Sequence, residues 1–202
     1  MDSRIVTMPG YRIHEYRLVV PLSEALEERL GALRSRLFER HRVKQGGEGA
    51  GGLTVLRAHA LEQSESRLVE RLQQLVWGME PFRVELDGFA AYPSHSIYIQ
   101  VPTRAPFSLL VQELKKLKWL MNLPGQEPHY IPEPQLVRAQ GLKPMPFIGM
   151  WMECEHSEFR GRFLADRLLL LRRPAGSGSW EALHSFTFPQ VAASVKQGVL
   201  FG

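Results

Sequence analysis

The side chains able to move protons, act as nucleophiles or hold a metal are few in this chain and stand apart from one another. Seven histidines (His14, His41, His59, His95, His129, His156 and His184) and one cysteine, Cys154, are spread over 202 residues. Histidine has the ordinary pKa best suited to proton transfer near neutrality, but it needs a partner on the same face of its element to form half of an acid–base pair. His59 lies an odd number of residues beyond Thr54, so on a continuous strand it points to the opposite face. His129 has Ile131 two positions on and prolines on both sides, and reads as a loop histidine. His14, His41, His156 and His184 show no partnering pattern. Cys154 and His156 share a face if their segment is extended, which would permit a thiolate–imidazole pair. The better-supported reading of Cys154 is a small buried hydrophobe, because nothing marks a third, orienting group. Glu153, Glu155 and His156 are imaginable as metal ligands, but consecutive acids ordinarily make a solvated turn and the spacing fits no metal motif. No metal and no cofactor is expected.

The elements that must position any site can be read from periodicity. His14 to Val20 reads as a first strand ended by Pro21. A helix follows, with Ser23 as its cap, Glu24 and Glu27 at its positive end, and Leu26, Leu30, Leu33 and Leu37 along one face. Gln45 to Gly52 holds five glycines and reads as a loop, ending in a short strand signal from Leu53 to Leu56. Ser64 to Trp77 places Leu68, Leu72, Leu75 and Val76 on one side of a second helix. Phe82, Val84 and Leu86 mark a strand, Ile97 to Ile99 another after a turn at Pro93-Ser94, and Phe107 to Met121 a third helix. A proline-rich loop, Pro124 to Pro134, leads to a short strand near Gln135 to Ala139. Phe159 to Leu171 and Trp180 to Phe188 read as a closing antiparallel pair turned at Gly176 to Gly178. Helices alternating with hairpin-joined strands predict a mixed α+β fold.

Composition bounds the rest. A chain that is 44% apolar and 23% charged can bury a proper core, and its net charge of +4 favours anionic ligands without requiring nucleic acid. Met1 to Gly10 has no apolar stretch of signal-peptide length and no later run is long enough to cross a bilayer. With one cysteine, which cannot form an internal disulfide, a cytoplasmic protein without membrane contact is expected.

Three segments together resemble a known family. Phe82 to Ile99, Glu133 to Pro144, and Phe159 to Asp166 followed by Leu168 to Leu171, in that order and within an overall match from about Glu15 to Phe188, resemble the bacterial 2′–5′ RNA ligase-like proteins of the 2H phosphoesterase superfamily. The resemblance implies two α/β lobes with antiparallel sheets and flanking helices, related by a pseudo-twofold around a central cleft. It implies a single two-lobed domain over residues 11–188, with 1–10 and 189–202 as terminal segments. Each lobe of such a protein supplies a histidine-x-threonine or histidine-x-serine motif on a strand, where positions i and i+2 share a face. One histidine takes a proton and the other returns one, while the hydroxyls hold the phosphate. Here the first motif falls on Gly52-Leu53-Thr54 and the second on Gln135-Leu136-Val137. Both histidines are replaced: glycine has no proton to exchange, and a glutamine amide does not titrate near neutrality. His95 matches a turn histidine of the family and reads as structural. Arg138 replaces an aliphatic residue on the face away from the cleft, so either it reaches solvent or the strand slips by one residue, which would turn Leu136 and Arg138 toward the cleft. The unslipped register is favoured because both flanks match.

These readings predict a catalytically inactive protein of this fold whose cleft binds a phosphate-bearing ligand, a nucleotide or an RNA end. Thr54, Gln135, Tyr98, Arg162 and Arg138 are the expected ligand-binding residues, and Gly52 and Gln135 the degenerate catalytic positions. Tyr98 is included because its ring can stack on a base, and Arg162 and Arg138 because they can pair with phosphate. The alternatives are a phosphodiesterase with relocated catalytic groups and an interaction protein with a vestigial cleft.

Overall fold

A computed structural model describes residues 11–43, 52–176 and 178–189; the glycine-rich loop up to Gly51 and both terminal segments, apart from Pro189, lie outside the described residues. Ten strands and four helices follow in the order β1 (Ile13–Pro21), α1 (Glu24–Arg40), β2 (Gly52–Leu61), α2 (Glu65–Trp77), β3 (Phe82–Asp87), β4 (Phe89–Tyr92), β5 (Ser96–Ile99), α3 (Ala105–Lys115), β6 (His129–Tyr130), β7 (Leu136–Ala139), α4 (Pro144–Glu155), β8 (Arg160–Ala165), β9 (Arg167–Pro174) and β10 (Glu181–Thr187). The fold is α+β, with antiparallel pairing between all neighbouring strands.

The first lobe is built on a five-stranded sheet ordered β10-β9-β1-β2-β6. β1 lies at its centre, and Tyr16 to Val20 are all buried. One face of this sheet, carrying Tyr16, Leu18, Leu56, Ala58, Leu168 and Leu170, enters the main core with Leu68, Leu72 and Val76 of α2 and Phe107, Leu110 and Leu114 of α3. The i, i+4, i+8 spacing on α2 is what aligns its three buried side chains, each worth about 1.5–3 kcal/mol when withdrawn from water.

The second lobe joins β3–β8 to β4–β5–β7. They meet at Gly88, whose φ of 67° lies in the left-handed region that favours glycine. There Asp87 N–H donates to the Gln100 carbonyl (3.1 Å), Gln100 N–H to that of Gly88 (3.1 Å), and Gly88 N–H to that of Phe159 (2.8 Å). Two residues thus oppose one, and the long strand bends.

Each lobe sends a helix to the other. α1 leaves β1 but packs on the second lobe: Leu26 lies over Gly161, Arg29 Nη1 donates to the Arg160 carbonyl (3.1 Å), and its C-terminal His41 contacts Glu153 of α4 (3.1 Å). α3 leaves β5 but packs against α2 and β2 of the first lobe. The main core therefore runs through both lobes, taking in Val84, Leu86, Ile99, Leu136 and Phe163, while a smaller cluster around Leu37, Phe38, Ile97, Met150 and Cys154 sits under α4.

Several sequence expectations change. Ser23 flanks α1 but makes no side-chain capping bond; its carbonyl accepts the first helical N–H groups. The third helix ends at Lys115 and only a 3-10 turn, Lys118–Leu120, continues it. Phe159 to Leu171 is not one strand. Asp166 breaks it, so β8 pairs with β3 in the second lobe and β9 with β1 and β10 in the first. The segment holding Cys154 is helical, started by Pro144 in its first turn. Cys154 and His156 are therefore not a same-face extended pair.

Candidate functional site

Both sheets bury one face in the core and leave the other open, and the open faces decide which side chains can meet a ligand. On the first sheet the register along β1 and β2 is not continuous. Leu18 pairs with Leu56, but Val19 pairs with Thr54, so Val55 is an extra residue, a β-bulge. Parity changes across it. Thr54 shares its face with Val19, and, past the bulge, so do Arg57 and His59, opposite Arg17 and Glu15. The expectation that His59 points away from Thr54 is thus overturned, because an inserted residue resets the alternation. His129, expected in a loop, instead forms part of the short edge strand β6, opposite Arg57.

Gly52 begins β2, opposite Pro21, and is fully enclosed by backbone. A Cβ there would lie 2.3 Å from the Val20 carbonyl oxygen and 3.0 Å from the Pro21 Cα. No side chain fits this position without backbone movement. Thr54, two positions on, is half-buried and lies on the open face.

Farther along the same face stands a group that sequence reasoning missed. Arg17 is 2% exposed in the middle of β1, and its guanidinium lies 4.2 Å from the centre of the Trp180 ring. Arg173 of β9 lies 4.5 Å from the same ring and donates through Nε and Nη2 to Glu15 Oε2, at 2.7 Å each. His59 stands beside this pair. Burial, foremost, and the Arg173 charge depress its pKa below the ordinary histidine value, and Glu15 opposes them. The signal available in the sequence was Arg17 within an apolar strand and the i, i+2 spacings of Glu15 with Arg17 and of Arg57 with His59.

The second sheet's open face carries the other expected residues. Leu136 is buried and pairs with Ile99, while Val137 pairs with Tyr98 and Ala139 with Ile97. Arg138 is again an extra residue, so the strand keeps its unslipped register on both flanks by bulging. The Arg138 side chain lies outside the described part of the structure. Gln135 precedes β7 rather than standing on it, and its Oε1 accepts the Val101 N–H (3.2 Å). That bond fixes the amide and leaves its NH₂ as a donor. Tyr98 is half-buried with its ring stacked on Tyr92 at 4.3 Å and 26°, so one of its two faces is already taken. Arg162 is exposed on β8 opposite Glu85, in a shallow groove with Asp87, Pro102 and Arg160. Its surroundings are of mixed charge. The structure thus brings Gln135 and Tyr98 onto one sheet, Thr54 onto the other, and Arg162 onto the outer strand of the second lobe.

Other candidates resolve into structure. Burial pushes the Cys154 thiol up to about 11, which makes it a poor nucleophile. His95 sits at φ 55° in the turn before β5, its carbonyl accepting the Leu142 N–H (3.0 Å) and its ring tilted on Phe147, the structural role expected of it. Among the described residues no group of three histidine, cysteine or acidic side chains could hold a metal ion. No described helix is long and apolar enough to cross a membrane.

No protein-family model matches the sequence, and no curated protein matches it. Solved structures do match in fold. E. coli LigT complexed with 3′-AMP superposes with a TM-score of 0.60 at 12% identity, over 89% of this chain and 99% of that one. A crystal structure of a phosphoesterase gives 0.53 at 15% identity over the same shares, and E. coli LigT complexed with ATP gives 0.51 at 14%. The chain has the α+β fold of LigT, antiparallel sheets with flanking helices, over nearly the whole length of those proteins.

Proposed function

We propose that this chain is a catalytically inactive protein of the LigT fold whose cleft binds a phosphate-bearing ligand, a nucleotide or an RNA end. The observation that carries the reading is the enclosure of Gly52. Where the family resemblance puts the first catalytic histidine, backbone atoms of Val20 and Pro21 fill the space a side chain would need. At the second position stands Gln135, whose amide is tied to the Val101 N–H and does not titrate. Loss of one general acid or base lowers rate by roughly 10²- to 10⁴-fold, so loss of both leaves little above background. What remains are donors: the Thr54 hydroxyl and the Gln135 NH₂, with Tyr98 and Arg162 on the surrounding faces, able to contact a phosphate or a base without exchanging protons. The structures of E. coli LigT with 3′-AMP, with NADP+ and with ATP support a nucleotide as the ligand class.

The test is a titration of AMP into the whole chain and into a Thr54→Val, Gln135→Ala double variant, at low and high salt, beside an assay of 2′,3′-cyclic phosphate hydrolysis. Binding that weakens with salt and in the double variant, with no turnover above background, is expected. Enzyme-level turnover abolished by replacing His59 or His129 would instead make the chain a phosphodiesterase with relocated groups. Absence of binding at low salt would make the cleft vestigial.

A further inference from the structure

α4 is apolar on two opposite sides. Met150 and Cys154 are buried in the smaller core cluster, yet Met145, Ile148 and Met152 stand 78%, 51% and 59% exposed. At 100° per residue these three fall within an arc of about 60°, on the side of the helix away from Met150 and Cys154. A helix surface that faces water ordinarily carries polar and charged side chains, and one that is apolar all round is ordinarily covered. An outward stripe of two methionines and an isoleucine is the kind of surface that a partner covers, methionine being able to repack against whatever meets it.

The charges at the two ends of the stripe select its occupant. Lys143 precedes α4 and Glu155 ends it, and both are exposed. Among the described residues neither is ion-paired within its own chain. Met145 lies three positions before Ile148 and Met152 four after it. A two-fold axis near Ile148 that sets two copies of α4 antiparallel therefore lays Met145 on Met152 of the second copy and Ile148 on its own counterpart. The same operation brings Lys143, five positions before Ile148, beside Glu155 of the other copy, seven positions after it, and does so at both ends. It also sets the positive end of each helix dipole beside that glutamate. The stripe is self-complementary in its apolar groups and in its charges, whereas a partner of uniform charge would meet a like charge at one end.

We propose that α4 is a self-association surface, on which a second copy of this chain docks antiparallel through Met145, Ile148 and Met152, with Lys143 and Glu155 closing the two ends. A helix of this length spans about 18 Å, and one face of it covers well under the roughly 800 Å² per partner of a standard interface. The dimer is accordingly transient, with a dissociation constant on the order of 100 µM. α4 packs on the side of the second sheet that carries Ile97 and Ala139, and Tyr98, next to Ile97 on β5, points to the other. Pairing through α4 thus leaves the open face of each copy uncovered, and the inference stands apart from any ligand bound there.

Sedimentation of the whole chain between about 10 µM and 1 mM, a range that brackets such a constant, tests the proposal. Wild type is expected to pass from monomer to dimer across it, and Ile148→Asp to remain monomeric with unchanged circular dichroism. Lys143→Glu and Glu155→Lys are each expected to weaken association about fivefold or more. An equimolar mixture of those two variants should regain it, since both end pairs of the mixed dimer are again of opposite charge. A wild-type chain that stays monomeric throughout overturns the proposal and leaves the stripe to another occupant. Dimerisation untouched by Ile148→Asp overturns it by placing the contact elsewhere. A mixture that associates no better than either charge variant alone overturns the antiparallel pairing.

Discussion

A Cβ built on Gly52 meets the Val20 carbonyl oxygen at 2.3 Å, a separation no packed structure tolerates. The obstacle is backbone, from the neighbouring strand of the same sheet, and cannot rotate away as a side chain would. Gly52→His is therefore expected to destabilise the chain rather than to supply a catalytic group. Overpacking of this kind costs about 1–3 kcal/mol, and urea unfolding of Gly52→His and Gly52→Ala should show both below wild type. A histidine variant that is as stable as wild type and hydrolyses a cyclic phosphate would sink this account. Two of the histidines have structural contacts. His41 is engaged with Glu153 and His95 holds a left-handed turn position. His59 and His129 stand on or beside the open face of the first sheet, and the parity that brings His59 there depends on one inserted residue, Val55.

Between elements, the joint of α1 with α4 sets how the first lobe's connecting helix is anchored to the second. Gly149 of α4 faces the His41 ring, and a Cβ there would lie 2.8 Å from Nδ1, while His41 Nε2 is held by Glu153 at 3.1 Å and Arg40 pairs with the same carboxylate at 3.4 Å. Gly149→Ala pushes against a ring that its own hydrogen bond keeps in place. A loss of about 1 kcal/mol is expected, partly recovered when His41→Ala removes the ring, so that the two changes are not additive. Strict additivity in a double-mutant cycle of unfolding free energies would show that the contact has no energetic content. A second joint lies on the first lobe, where Glu65 at the start of α2 accepts from Tyr16 (3.0 Å) and from Arg172 Nη1 (2.8 and 2.9 Å). Burial and the Glu65 carboxylate raise the Tyr16 phenol pKa well above its ordinary value, and the hydrogen bonds to Glu65 and Glu181 raise that of Arg172.

For the whole molecule, the exchange of helices between lobes argues against two independent folding units. α1 buries Leu26 against the second lobe and α3 buries Phe107, Leu110 and Leu114 within the first, so removing either lobe strips the other of a helix that covers its core. We therefore expect residues 11–188 to unfold as one cooperative unit, with the far-ultraviolet circular dichroism and tryptophan fluorescence transitions superimposed in denaturant. Two separated transitions would mean that the lobes are held together less tightly than the shared core implies. Occupation of the cleft should raise the midpoint of that single transition with ligand concentration, since a ligand bound only to the folded state stabilises by mass action.

Local sequence determined a good deal. The period-two runs of β1 and β3 and the helical spacing of Leu26, Leu30 and Leu37 and of Leu68, Leu72 and Val76 are all properties of neighbours along the chain, and the α+β order follows from them. What the sequence alone left open depended on contacts between distant segments. The bulges at Val55 and Arg138 are defined only by the strands they pair with, and they decide that His59 shares a face with Thr54 and that Leu136 and Ala139 both stay buried. The break at Asp166 sends β8 and β9 to different sheets because their partners, β3 and β1, belong to different lobes. Likewise the gathering of Glu15, Arg17, Arg57, Arg173 and Trp180 on one face joins residues up to 165 positions apart, from Glu15 to Trp180. Periodicity gives each strand two faces; only pairing across the sheet says which side chains share one.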